Sequence, residues 1–195
     1  EGGYSGMVDD QFRELDRYSV VNIIQRGGTV LGTGRCKEFR TDAGRARAVT
    51  NLQANNIDGL VLIGGDGTFR GAVALMDAGG PPAIGIPGTI DNDLYGTDYT
   101  IGFDTAVNTA IDAVDKIRDT ADSHNRLFFV EVMGRHSGYI ALYTAIGSGA
   151  SSVLIPEAKT NLEDLREVLR RNRARGKLFS VVIVAEGHEM GGAAG

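Results

Sequence analysis

Apolar and polar residues alternate along this chain in two different periods. Short apolar runs bounded by glycine or proline are typical of buried strands, and between them lie segments with helical spacing. The predicted strands are 59–65, 82–88, 127–134, 151–157 and 179–187. The predicted helices are 42–56, 68–78, 103–121, 137–148 and 161–175. Strand–helix–strand alternation predicts an α/β fold with mostly parallel sheets.

Two of these helices carry further detail. The helix over 42–56 has Thr41 or Asp42 as its N-cap and is expected to place Ala46, Val49 and Leu52 on one face. The helix over 103–121 has its apolar positions at Ala106, Ala110, Ile111, Val114 and Ile117. Because this helix separates two groups of strands, we predict two lobes, 1–102 and 103–195. In open α/β sheets, ligands bind at the carboxyl ends of the strands.

Composition narrows the classes of protein. The chain has 195 residues and a formal net charge of -5, which disfavours general nucleic-acid binding. Its single cysteine, Cys36, excludes an intramolecular disulfide framework and is typical of a reducing, cytoplasmic compartment. No apolar run of 18 residues predicts a membrane helix, and the acidic start EGGYSGMVDD is unlike a signal peptide. Without an initiator Met, the chain is expected to be a segment of a longer protein.

A glycine-rich turn follows the first strong strand. Gly64-Gly65-Asp66-Gly67-Thr68 comes directly after LVLI and precedes a helix. Glycines allow the backbone to approach an anion, and a helix N-terminus presents free N–H groups to it. Asp66 could hold Mg²⁺ that bridges phosphate oxygens. The alternative is a plain turn, since Asp-Gly is a common turn pair, and no Walker A pattern is present.

A pair of carboxylates follows the second strand. Asp91 and Asp93 stand two residues apart in PGTIDND. Asp91 could accept a hydroxyl proton while Asp93 orients Mg²⁺ or its waters. The alternative is an Asx-rich turn. A calcium loop is excluded, because Tyr95 and Gly102 occupy positions five and twelve, where an EF-hand needs oxygen ligands.

These two loops, followed by MGR after the next strand, resemble the phosphofructokinase family. The resemblance extends over nearly the whole chain, and LFFVEVMGR and DLYGTD look closest to bacterial ATP-dependent members. The matching segments are LDRYSV (15–20), RGGTVLGTGR (26–35), IGGDGT (63–68), PGTIDNDLYGTDYTIGFDTA (87–106), IRDT (117–120), SHNR (123–126), VEVMGR (130–135) and VAEG (184–187). It implies a three-layer, Rossmann-like fold, with part of an ATP lobe in 1–102 and part of a fructose 6-phosphate lobe in 103–195.

The resemblance also implies a role for each matching position. Asp91 would be the proton acceptor for the sugar 1-hydroxyl, assisted by Asp93, Thr89 and Arg135. Asp66 would bind the Mg²⁺ of Mg-ATP. The remaining ATP contacts would be Arg35, Cys36, Gly65, Gly67 and Thr68. The sugar phosphate contacts would be Thr89, Ile90, Asp91, Met133, Gly134, Arg135 and Glu186, with Arg126 supplied by a neighbouring subunit of a homotetramer.

Two further properties follow from the resemblance. Pyrophosphate-dependent members carry GGDD and PKTIDND, whereas Gly67 and Gly88 stand at the two marked positions here, which favours ATP. Arg118, Gly149, Arg175 and Lys177 match an effector site for ADP or phosphoenolpyruvate, although Ser151 replaces its acidic Mg²⁺ contact. The family's first glycine-rich loop and its C-terminal portion have no counterpart in these residues. The alternatives are a pyrophosphate-dependent enzyme and a catalytically silent, nucleotide-binding subunit.

Overall fold

The computed structural model describes residues 1–159 and 161–189. Within them the chain forms two compact units, which divide between Ile86 and Pro87. The predicted lobes, 1–102 for ATP and 103–195 for the sugar phosphate, were assigned by the ligand that each would bind. The division into compact units does not test that assignment, which stays a prediction.

The first unit contains three helices, α1 (Tyr4–Val8), α2 (Asp42–Ala54) and α3 (Asp66–Asp77), and a short 3₁₀ helix (Glu38–Arg40). Its two strands, β1 (Leu60–Gly64) and β2 (Ala83–Pro87), form a two-stranded sheet. The core is made by the apolar side chains of Val8, Phe39, Ala48, Val49, Leu52 and Leu75. The sequence did not predict α1 or the 3₁₀ helix, because each is too short to show a period.

The observed helix α2 corrects one detail of the prediction. Thr41 is the N-cap, and its side chain accepts a hydrogen bond from the backbone N–H of Gly44. Val49 and Leu52 are buried as expected, but Ala46 is exposed and Ala48 is buried instead. The prediction was wrong at Ala46 because at 3.6 residues per turn it lies outside the face that Ala48, Val49 and Leu52 share.

The second unit contains α4 (Phe103–His124), β3 (Leu127–Val132), α5 (Tyr139–Ser148), β4 (Ser152–Leu154), α6 (Leu162–Ala174) and β5 (Ser180–Ala185). Its sheet has the order β3-β5-β4, and both pairs are parallel. All ten predicted helices and strands of the chain are therefore present, with ends that differ by a few residues.

The central strand β5 explains why this unit has three layers. Val181, Ile183 and Ala185 pack with residues of α4 and α5, whereas Val182 and Val184 pack with Leu154 and with Leu165 of α6. Because successive side chains of a strand point to opposite faces, a strand covered on both faces must be apolar throughout. The continuous apolar run in 179–187 has this origin, and the predicted three-layer, parallel arrangement is confirmed for this unit.

Candidate active site

The loop that follows β2 is closed on itself by one asparagine. The Asn92 side-chain oxygen accepts hydrogen bonds from the backbone N–H of Thr100 at 2.8 Å and from its hydroxyl at 3.2 Å. Asn92 has φ 51°, a left-handed conformation that asparagine tolerates better than most residues. The fixed loop places Asp91 and Asp93 on either side of Asn92.

Asp91 is a buried carboxylate with a cationic neighbour. Its side chain is 12% exposed, and Oδ2 lies 3.7 Å from Nε of Arg135, whose side chain is 66% exposed. Burial raises the pKa of Asp91, and the nearby negative charge of Asp93 raises it further, while Arg135 opposes both effects. The Thr89 hydroxyl also contacts this residue, since it accepts the Asp91 backbone N–H at 3.3 Å. Asp91 is thus a carboxylate whose basicity exceeds that of an ordinary aspartate.

The turn after β3 is held by Glu186, which follows β5. Its Oε1 accepts the backbone N–H of Arg135 at 2.5 Å and that of Gly134 at 3.3 Å. The Glu186 N–H in turn donates to the Val132 carbonyl oxygen at 3.0 Å. Since β3 and β5 are neighbouring parallel strands, their carboxyl ends bring these residues together. Arg135 has φ 51°, and Glu186 supports this otherwise unfavourable backbone conformation.

The backbone packing of this turn requires glycine at position 187. A Cβ built on Gly187 would lie 1.9 Å from the Arg135 carbonyl oxygen and 3.0 Å from its carbonyl carbon. No side chain fits against backbone at that distance, so only glycine lets β5 end so close to the turn. Sequence reasoning did not single out Gly187, and the signal available was its place in VAEG beside Glu186.

The structure therefore brings together Thr89, Asp91, Gly134, Arg135 and Glu186, all predicted site residues. Asp93 is exposed nearby, and Met133 is 62% exposed at the end of β3. The Ile90 side chain packs partly buried against Phe103, Val107 and Ile140, which leaves its backbone for any ligand contact.

Arg126 lies away from this group. It precedes β3, whereas Met133, Gly134 and Arg135 follow the strand, so its backbone is at the opposite end of six residues of strand. At roughly 3.3 Å per residue, that separation is about 20 Å.

An open cleft of about 750 Å³ adjoins Asp93. It is lined by residues 92–99 and by Tyr139 and Tyr143 of α5. A hydrogen bond with Tyr143 raises the pKa of the exposed Tyr99. These two tyrosines of α5 were not predicted as site residues, although their spacing of four residues places them on one helix face.

In the first unit, the glycine-rich turn is shorter than predicted. Gly65 is the N-cap of α3, so Asp66, Gly67 and Thr68 form the first helical turn rather than a loop. An acidic residue in this position is favoured by the positive end of the helix dipole. Asp66 pairs with Arg70 at 2.8 Å and its side chain is half exposed, and a Cβ at Gly67 would meet nothing within 4 Å.

Tyr4 anchors the same helical turn. Its hydroxyl donates to the Thr68 carbonyl oxygen at 2.6 Å, and its ring stacks on Phe39 with centroids 4.1 Å apart. Burial raises the pKa of Tyr4 to about 12. Sequence reasoning missed this residue, because nothing in the pattern around positions 1–10 connected it with position 68.

The other two predicted ATP contacts precede the 3₁₀ helix. Arg35 is exposed. Cys36 packs against the core of the first unit, and its Sγ accepts the backbone N–H of Phe39 at 3.4 Å. The Cys36 side chain therefore has a packing role, and any contact with ATP would be made by its backbone.

The four predicted effector residues all lie near helix ends or on a helix of the second unit. Arg118 is on α4, 3.9 Å from Asp115. Gly149 ends α5 with φ 62°, and Arg175 ends α6. The Lys177 ammonium lies 5.6 Å from the ring centre of Phe179.

The described residues contain neither a cluster of metal ligands nor a membrane-spanning helix. No group of three or more His, Cys, Asp or Glu side chains among them could hold a metal ion. None of the helices described is both long and apolar enough to cross a membrane.

Comparison with known proteins defines the class to which this fold and site belong. Residues 1–194 match the phosphofructokinase family, and the chain belongs to that family. It is 58% identical to "ATP-dependent 6-phosphofructokinase 1" of Thermus thermophilus over 193 residues, which are 99% of this chain and 60% of that protein. The chain thus spans about three fifths of the length of this relative.

Solved structures agree with the family. Phosphofructokinase of Pichia pastoris in the T-state matches with a TM-score of 0.88 and 40% identity, over 96% of this chain and 22% of that one. Pyrophosphate-dependent phosphofructokinase of Marinobacter aquaeolei is more distant, with a TM-score of 0.62 and 27% identity over 83% of this chain and 43% of that one. The predicted fold class and family are confirmed.

Proposed function

We propose that the complete protein that contains this chain is an ATP-dependent 6-phosphofructokinase. It transfers the γ-phosphoryl group of Mg-ATP to the 1-hydroxyl of fructose 6-phosphate and forms fructose 1,6-bisphosphate and ADP in glycolysis. The observation that carries the proposal is the buried Asp91 carboxylate beside Arg135, at the carboxyl ends of strands in a chain of this family.

Asp91 is the proton acceptor. Its raised pKa makes it a stronger base than an ordinary aspartate. It takes the proton of the 1-hydroxyl as that oxygen bonds to the γ-phosphorus. The bond from the γ-phosphorus to the β–γ bridging oxygen breaks, and ADP leaves. Arg135 and Thr89 stabilise charge around the transferred group, and Asp93 orients Mg²⁺ or its waters.

The sugar phosphate is bound by the turn after β3 and by Glu186. Met133 is exposed there. Among the described residues the Arg135 guanidinium has only the 3.7 Å contact with Asp91 as an ion pair, so it can bind the phosphate or the transferred group. Glu186 uses Oε1 for two backbone N–H groups, which leaves Oε2 to accept sugar hydroxyls. Gly134, Thr89 and the Ile90 backbone complete this subsite.

The nucleotide binds at the N-terminus of α3. The backbone N–H groups of the N-cap Gly65 and of Gly67 and Thr68 in the first turn suit the phosphates. Arg35 and Cys36 contribute from the preceding segment. A single half-exposed carboxylate, Asp66, fits Mg²⁺, which is commonly bound by one or two carboxylates together with waters and phosphates. The ion neutralises phosphate charge when it is bound.

ATP rather than pyrophosphate is the donor. The space beside Gly67 is open, so glycine leaves room where a carboxylate would repel the nucleotide's α-phosphate. The names of the relatives support the same choice, since the ATP-dependent relative is 58% identical and the pyrophosphate-dependent one 27%.

We further propose a cytoplasmic homotetramer with shared sites. The position of Arg126, about 20 Å of strand from Arg135, supports a role at the site of a neighbouring subunit. Arg118, Gly149, Arg175 and Lys177 are the proposed contacts of an allosteric effector. The proposed partners are small molecules and copies of the same protein, not nucleic acid or a membrane.

The test uses the complete protein. Purified enzyme is assayed for fructose 1,6-bisphosphate with ATP or pyrophosphate as donor. We expect turnover with ATP, and an Asp91→Ser variant with kcat reduced about 10²–10⁴-fold at little changed sugar KM. Turnover only with pyrophosphate, or none with either donor while ATP still binds, would establish one of the alternatives. Unaltered turnover of Asp91→Ser would remove the role of base.

A further inference from the structure

Ser137 joins the two segments of the proposed site through its hydroxyl. The residue lies between β3 and α5 and is only 6% exposed. Its hydroxyl donates to the carbonyl oxygen of Asp91 at 2.9 Å, across 46 positions of sequence. The same oxygen accepts the backbone N–H of Tyr139 at 3.4 Å. A single buried hydroxyl therefore connects the loop after β2 to the start of α5.

The turn that holds Ser137 also carries Arg135. The Ser137 backbone N–H donates to the Gly134 carbonyl oxygen at 2.9 Å, and Glu186 binds the N–H groups of Gly134 and Arg135. These bonds fix the turn itself. They do not involve Asp91, so other contacts must hold Asp91 in place against the turn.

Among the described residues, two polar contacts link Asp91 to this turn, and they differ in length. The ion pair from Arg135 Nε to Asp91 Oδ2 measures 3.7 Å and involves a largely exposed side chain, so it constrains position weakly. The hydrogen bond from Ser137 is shorter and buried, and it acts on the backbone of Asp91. In a buried setting a hydrogen bond of this kind is costly to break, because both groups would lose their partners.

We propose that Ser137 is a positioning residue for the reaction. Its hydroxyl fixes the backbone of Asp91 relative to Arg135 and thereby aims the carboxylate at the sugar hydroxyl. This inference rests on the proposed function above. Because an error of about 1 Å in such a geometry can cost about 10²-fold in rate, a single positioning hydrogen bond is sufficient to affect turnover.

The experiment compares serine-to-alanine changes in the complete enzyme. We expect Ser137→Ala to lower kcat about 10–100-fold while the KM for fructose 6-phosphate stays within about 2-fold, since Glu186 still holds the sugar-binding turn. Ser148→Ala is the matched control. Ser148 is also buried, but its hydroxyl has no hydrogen-bond partner among the described residues, so we expect unchanged kcat.

A second variant, Ser137→Cys, keeps the test decisive if Ser137→Ala does not fold. Ser137→Cys keeps the approximate size and a weak donor, so its kcat should fall between those of wild type and Ser137→Ala. Its melting temperature should stay near that of wild type.

The outcomes separate this inference from the proposed function. No activity of the wild-type enzyme on fructose 6-phosphate would refute the function. The positioning role alone would be overturned by a different result. In it, the wild type is active and Asp91→Ser is impaired, but Ser137→Ala and Ser137→Cys both keep kcat within about 2-fold of wild type. The role would also be overturned if Ser137→Ala changed kcat and KM together.

Discussion

Replacing Gly187 by alanine tests whether the site depends on the close packing of β5 against the turn after β3. The added Cβ would lie 1.9 Å from the Arg135 carbonyl oxygen, whereas real contacts of this kind essentially never fall below 3.0 Å. One of the two backbone segments must therefore move by about 1.1 Å, since neither is a flexible side chain.

The movement has consequences for both activity and stability. It acts directly on Arg135 and on Glu186, the neighbour of Gly187 that binds the turn. A displacement of this size at a reacting group costs about 10²-fold, so we expect kcat/KM for fructose 6-phosphate to fall about 100-fold or more. Overpacking also lowers the free energy of unfolding, by about 1–3 kcal/mol.

The assay is steady-state formation of fructose 1,6-bisphosphate by the complete enzyme, with melting temperature measured in parallel. Gly59→Ala serves as the matched control, because a Cβ there meets only the Pro82 carbonyl oxygen at an ordinary 3.7 Å. We expect that variant to retain wild-type activity. If Gly187→Ala keeps kcat/KM within about 3-fold of wild type, the turn adjusts without cost and the argument from close packing is refuted.

Three further predictions concern charge and space. Burial raises the folded-state pKa of Asp91, so the ionised group opposes folding as pH rises above its unfolded-state pKa. Asp91→Asn should therefore raise the melting temperature near pH 7. A lowered melting temperature in calorimetry would contradict this. For the same reason the acid limb of kcat/KM, which reports the free enzyme, should lie above the ordinary aspartate value of about 3.9. A kcat/KM–pH profile with its limb at or below that value would show that Asp91 is not the titrating base. Gly67→Asp places a carboxylate in open space beside α3, and the KM for ATP should rise about 10-fold or more at unchanged sugar KM; Gly59→Ala is again the control, and an unchanged KM for ATP would refute the donor argument.

The amino-acid pattern predicted the helices and strands well because their signals are local. Strands buried on two faces must be apolar throughout, so the run in 179–187 is visible without any knowledge of its neighbours, and β5 occupies its centre. Helix caps are equally local. Thr41 caps α2 through a contact three residues away, which is within the reach of sequence reasoning. Ala46 shows where this approach failed, because burial depends on which helix face meets the core.

The candidate site was predictable only in part. Asp91, Arg135 and Glu186 follow three different strands, and ligands bind at strand ends in open α/β sheets. The resemblance to phosphofructokinases identified the residue types, and membership of that family is now established. Neither argument indicated how the residues are held, because both concern positions along the chain.

The sequence by itself determined ten of the helices and strands, the family and the chemical groups of the candidate site. Only the tertiary structure decided the burial of Asp91, the hydrogen bond from Ser137 and the contact that requires glycine at 187. These three features depend on distances between segments that are 44 or more positions apart. Periodicity reports on neighbours within a few residues, whereas a buried hydrogen bond between distant segments exists only once the chain has folded.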